Sequence, residues 1–130
     1  MDVILDHYSH PRNYGRLDEA EIDIEGSNPG CGDVIRLQAR IDSNLVISDV
    51  RFMGNGCTVS MASASLLTTL IEGLSLQEAV RIADNRMLEA LETSLSPRRF
   101  DCALLGLHLI RKALVNYYHV QRIQPGKHTS

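Results

Sequence analysis

The sequence predicts an α+β domain: a three-stranded antiparallel sheet with helices packed on one face. Three observations predict it. Three segments between residues 21 and 53 alternate apolar and polar residues. From residue 58 onward the apolar residues recur three and four apart. The change of period falls at Gly54-Asn55-Gly56. Strands followed by helices, rather than alternating with them, give segregated layers. A chain of 130 residues, 44% hydrophobic, can build one core.

Val3 to Tyr8 reads as a short helix that Pro11 stops, because the residue before a proline is pushed out of helical geometry. Glu21 to Glu25 alternates charge and hydrocarbon, as a half-buried edge strand does. Gly26 to Asp33 reads as a turn-rich loop. In the strand from Val34 to Ile41, Ile35, Leu37, Ala39 and Ile41 face one way and Arg36, Gln38 and Arg40 the other. Asp42-Ser43-Asn44 has hairpin chemistry. The return strand, Val46 to Met53, turns Val46, Val50 and Phe52 inward. Thr58 to Glu72 reads as a helix with a buried stripe of Val59, Ala62, Leu66, Thr69 and Leu70, stopped by Gly73. Ser75-Leu76-Gln77-Glu78 is a capping box opening a helix to about Asp84. A short helix to Thr93 follows. The longest helix runs from about Phe100 to His119, with Ala103, Leu107, Ile110, Leu114 and Tyr117 inward. The domain is expected to span residues 1–120, with 121–130 a polar, disordered tail.

Composition narrows the function. A net charge of -3 gives no electrostatic footprint for nucleic acid, and 5% aromatics with no Trp leaves no base-stacking platform. No apolar run reaches membrane-spanning length. Met1 to Asp6 begins acidic and lacks the signal-peptide pattern, so the expected compartment is the cytoplasm. Thiols stay reduced there, and three cysteines are an odd count for disulfides. Metal binding or thiol chemistry is favoured instead.

Cys31, Cys57 and Cys102 each sit beside a turn or a predicted helix start. Cys57 is placed at the N-terminus of a helix and Cys102 in the first turn of one, where free N–H groups and the helix dipole favour a thiolate. Arg98 and Arg99 add positive charge beside Cys102. Gly30, Gly32, Gly54 and Gly56 leave room for a ligand and offer backbone N–H groups. Asp33 points the same way as Cys31 if the backbone between them is extended. The expectation is that the three thiols and Asp33 converge on a site for metal and sulfur.

A single cysteine is more often inert core, and no Cys-x-x-Cys pair identifies a zinc finger here. His7 and His10 read as surface or capping groups. His108, six residues past Cys102, is not on its face. Asp101 suits a helix start without ligating anything. Ser60, Ser63 and Ser65 read as a small packing face, with no nucleophile elbow around them.

Leu5-Asp6-His7-Tyr8 with Pro11-Arg12-Asn13 and Gly15, then Cys31-Gly32-Asp33, Gly56-Cys57, and Arg99 with Cys102, resemble in order and separation the iron–sulfur cluster scaffold family of IscU, SufU and the N-terminal part of NifU. The resemblance runs from about Leu5 to Tyr118. It implies an IscU-like α+β fold in which Cys31, Asp33, Cys57 and Cys102 hold a transient [2Fe-2S] cluster, or Zn2+ in its place. It also implies that a PLP-dependent cysteine desulfurase delivers sulfur as a persulfide to one of the cysteines. The cluster then passes to apo iron–sulfur proteins or carriers. The second role open to the family is a zinc-bound sulfur acceptor that activates the desulfurase. Departures bear on the choice. Asp101 stands where IscU has histidine. Leu95-Ser96-Pro97-Arg98-Arg99 replaces the Leu-Pro-Pro-Val-Lys run read by an Hsp70-type chaperone, so that partner does not carry over. Gly26-Ser27-Asn28-Pro29 resembles SufU, but the SufU insertion between the second and third cysteines has no room.

Overall fold

The computed structural model describes residues 2–30 and 32–123. In chain order it holds α1 (Val3–Ser9), β1 (Ile22–Asn28), β2 (Asp33–Ile41), β3 (Ile47–Asn55), α2 (Thr58–Ile71), α3 (Leu76–Val80), α4 (Asp84–Ala90) and α5 (Pro97–Ile123). The strands form one antiparallel sheet in the order β1-β2-β3. Helices α2 and α5 pack on its apolar face, and α1 packs on α2. This is the α+β architecture that the segregated periodicities predict.

The core lies between sheet and helices. Ile35, Leu37, Ala39, Val50 and Phe52 from the sheet meet Leu67, Leu107, Ile110 and Leu114, all at most 1% exposed. Gln38, on the other face, is not solvated as expected: it is 7% exposed under the loop before β1, where its side chain bonds both backbone groups of Leu17.

β1 runs three residues beyond the expected Glu25, through Gly26, Ser27 and Asn28, which pair with Ile35, Val34 and Asp33. Gly26 permits it, since a Cβ there would collide with Leu109 of α5. The expected loop from Gly26 to Asp33 therefore shrinks, and Asp33 opens β2. On β3 the inward residue is Ile47, fully buried, rather than Val46. A register shift between Arg40 and Ile41 breaks the alternation at that point.

α2 ends where expected, with Gly73 at φ 90°. Its burial is not a stripe. Ser60 and every residue from Ala62 to Thr68 are buried, while Thr69 is exposed and Val59 and Leu70 are only partly covered. α1, α5 and the sheet surround the helix, so the one-faced template fails. The Ser75 capping box is present, but its helix ends at Val80. α5 reaches Ile123, and residues 124–130, the rest of the expected tail, lie outside the described residues.

His7, expected at the surface, is 8% exposed, with Nδ1 2.8 Å from Ser65 Oγ. Arg12 N–H donates to the same hydroxyl at 2.8 Å. Serine on the buried face of α2 thus fastens α1 and the following loop. Burial, then the Arg12 charge, push the His7 pKa below 6.5, against a smaller upward pull from Asp6. The folded ring therefore binds fewer protons than the unfolded one. Its contribution to stability is intact above pH 6.5 and is lost as pH falls below that value toward the folded pKa. Denaturant melts between pH 7.5 and 5 are expected to lose stability in the acid arm, with a smaller loss in His7→Gln. Equal acid sensitivity in both proteins would contradict this account.

Candidate metal centre

Three elements deliver three side chains to one point. Asp33 is the first residue of β2, Cys57 is the N-cap of α2, and Cys102 lies on α5. One carboxylate oxygen of Asp33 and the two sulfurs all lie within 4.8 Å of one another. Cys31, the fourth residue expected here, lies outside the described residues. Among the described histidines, His7 and His10 stay out of the cluster, and His108 bonds Asp84 at 3.0 Å instead. Asp101 is exposed and also stays out.

Asp33 is fully buried. Its Oδ1 accepts the Cys57 N–H at 2.9 Å. Its Oδ2 is buried and has no hydrogen-bond partner among the described residues. An unmet buried carboxylate oxygen is costly, and a cation is the chemistry that meets it. Two thiols and a carboxylate fit a borderline or soft divalent metal, or an iron–sulfur unit, rather than Mg2+ or Ca2+. The donor set and the orphaned oxygen therefore agree.

Gly56 makes the arrangement possible. A Cβ there would meet Ser60 Oγ at 2.5 Å and Asp33 Oδ1 at 2.6 Å. At Gly56 the space expected for a bulky ligand is thus taken by the residues that shape the site, whereas it stays open at Gly32. Gly54 likewise makes way for the neighbouring strand at Val34 O. Gly56→Ala is expected to displace the carboxylate and weaken Zn2+ binding about 10- to 100-fold, with helix content by circular dichroism unchanged. Unaltered Zn2+ affinity would contradict the role given to this glycine.

Cys57 caps its helix through sulfur, where serine or aspartate is usual. The Ser60 N–H donates to its Sγ at 3.4 Å, and Ser60 Oγ returns to the Cys57 carbonyl at 3.0 Å. Burial raises the Cys57 pKa. The Ser60 N–H and hydroxyl and the Cys102 thiol together outweigh it, and the Asp33 charge offsets them in part, so the net shift is downward from 9.0. The Cys57 charge, then hydrogen bonding to Cys102, raise the pKa of the Arg99 guanidinium. Arg99 is thus coupled electrostatically to both sulfurs, although its side chain, like that of Arg98, is exposed.

Cys102 departs from expectation. α5 begins at Pro97, three residues early, because proline suits the first helical position. That puts Cys102 in the second turn, where it is 1% exposed. It points inward, and the first-turn dipole argument applies to Cys57 alone. Asn28, not anticipated, places Nδ2 3.9 Å from Cys102 Sγ. Carrying the period-two pattern of β1 on through Gly26 would have found it.

Residues 1–124 match the family described as NifU-like N terminal domain. The chain belongs to this family. Among relatives of the NifU-like family, the iron-sulfur cluster assembly scaffold protein IscU of Haemophilus influenzae is 38% identical, the alignment covering 89% of this chain and 93% of that one. The mitochondrial iron sulfur cluster assembly protein 1 of Debaryomyces hansenii is 41% identical over 89% of this chain but 66% of its own. The chain thus spans nearly all of that bacterial relative and about two thirds of the mitochondrial one. A crystal structure of a putative iron-sulfur cluster assembly scaffold protein for the SUF system from Fervidobacterium islandicum superposes with a TM-score of 0.77 at 27% identity, covering 88% of this chain and 95% of that one. No helix among the described residues is long and apolar enough to cross a membrane.

Proposed function

We propose that this member of the NifU-like family is an iron–sulfur cluster assembly scaffold. Cys31, Asp33, Cys57 and Cys102 are its ligands, and a transient [2Fe-2S] cluster is its cargo. The observation that carries the reading is Asp33 Oδ2, a buried oxygen with no partner among the described residues, in one cluster with two thiols. Membership beside IscU relatives supports it.

The residues divide the work by exposure and hardness. Cys57, partly exposed at a helix start, offers sulfur to an incoming donor. A thiolate there attacks the terminal sulfur of a persulfide on a PLP-dependent cysteine desulfurase. The new bond joins Cys57 Sγ to that sulfur, and the donor thiolate leaves with the electron pair. Buried Cys102 and Asp33 form the floor. The carboxylate is the weakest ligand toward a soft centre, which suits release to apo-proteins or carriers. Arg99 balances the negative charge of the sulfurs while the site is loaded. Three cysteines, an odd count for a disulfide framework, suit a reducing compartment such as the cytoplasm.

The second reading, a zinc-bound sulfur acceptor that activates the desulfurase, draws on Asp101 in place of histidine and on the likeness to the SUF-system structure. Anaerobic reconstitution with iron, cysteine and the desulfurase separates the two. The scaffold reading expects a visible charge-transfer spectrum that Cys57→Ala loses. Retained Zn2+ with protein persulfide and no chromophore would establish the relay instead.

A further inference from the structure

Sulfur that arrives as a persulfide is at the oxidation level of elemental sulfur. It becomes sulfide only with two electrons, and the arrangement of the thiols supplies a source. Cys57 is partly exposed, whereas Cys102 is 1% exposed and its Sγ lies within 4.8 Å of Cys57 Sγ. Asn28 Nδ2 lies 3.9 Å from Cys102 Sγ. One thiol is thus placed to meet a donor and the other is sheltered directly behind it.

We infer that Cys57 and Cys102 form a receiving and resolving pair that releases persulfide sulfur as sulfide. This rests on the sulfur-accepting role proposed above. Cys57 carries the persulfide, Cys57–S–SH. The Cys102 thiolate attacks Cys57 Sγ, the inner sulfur. The Cys57–Cys102 disulfide bond forms, and the bond between Cys57 Sγ and the terminal sulfur breaks. Hydrosulfide leaves with the electron pair and the proton it already carries. The terminal sulfur gains two electrons, and the two cysteine sulfurs lose one each. A dithiol reductant then restores both thiols for metal binding. Proximity favours the step, because the attacking sulfur is already held beside its target. Asn28 holds the Cys102 sulfur in place.

The test uses metal-free full-length protein, loaded anaerobically with a small alkyl hydropersulfide so that no partner protein is needed. Peptide mapping under non-reducing conditions is expected to find one Cys57–Cys102 linkage for each hydrosulfide released. Cys102→Ser, nearly isosteric at this buried position, is expected to keep the persulfide on Cys57 and slow hydrosulfide release at least about 10-fold. A persistent Cys57 persulfide in the wild type would overturn the pair, as would a linkage from Cys57 to Cys31 or undiminished release from Cys102→Ser. The wild-type map stands even if the variant fails to fold. Release after chemical loading, with no loading from the desulfurase, would support the pair while sinking the proposed partner.

Discussion

Cys57→Ala is expected to weaken Zn2+ binding by about 100- to 1000-fold. A four-ligand zinc site holds its metal by about 10–16 kcal/mol, so one thiolate accounts for about 3–4 kcal/mol of it. The same substitution removes the cap of α2, since the Ser60 N–H loses its acceptor sulfur. Losing a cap costs on the order of 1 kcal/mol. Cys57→Ser separates the two effects, because its hydroxyl caps the helix and is a poor zinc ligand. Competition titrations with a chromophoric chelator should find both variants weak, with only the alanine variant destabilised in denaturant. Zn2+ affinity within a few-fold of wild type in both would remove Cys57 from the site.

Asp33→Ala acts on the opposite property, release. The carboxylate is the hard ligand in a soft set, and its loss opens a position that a small thiol in the buffer can fill. A reconstituted cluster is then expected to survive about 10-fold longer, equivalent to about 1.4 kcal/mol. The fold loses something in exchange. The Cys57 N–H is left without the acceptor it meets at 2.9 Å, at a cost of about 1–3 kcal/mol. Decay of the visible absorbance in the presence of millimolar thiol reads the lifetime directly. Faster decay than wild type would mean that the carboxylate secures the cluster instead of loosening it.

How far such residues can be found from the sequence depends on what surrounds them. β2 was legible because one of its faces meets only hydrocarbon, so Ile35, Leu37 and Ala39 follow a strict alternation. β3 was legible except at its ends: a register irregularity hidden from any periodic pattern turns Ile47 inward instead of Val46, and pairing with β2 carries the strand past Met53 through Gly54 and Asn55. α2 misled because three neighbours enclose it, and small serines and alanines there are packing surface rather than a polar face. His7 followed from the same cause: its buried position depends on Ser65, 58 residues away. At the site, Cys57 sits at the helix start where the sequence places it, whereas Asp33 lies in β2 rather than in the expected loop. The depth of Cys102 was not legible, because it hinges on whether α5 starts at Pro97 or Phe100, and both starts satisfy local rules. Arg99 could be placed beside Cys102 by sequence alone, but its electrostatic coupling to Cys57 exists only after folding.

Three sulfurs and one carboxylate must converge on one metal site, whether it carries a cluster or a zinc ion. X-ray absorption at the zinc edge, on protein loaded with one equivalent of Zn2+, reads that set without a crystal. The expected result is three sulfur scatterers at about 2.3 Å and one oxygen at about 2.0 Å, with the oxygen shell altered in Asp33→Ala. A shell of nitrogen and oxygen atoms with fewer than three sulfurs would contradict it.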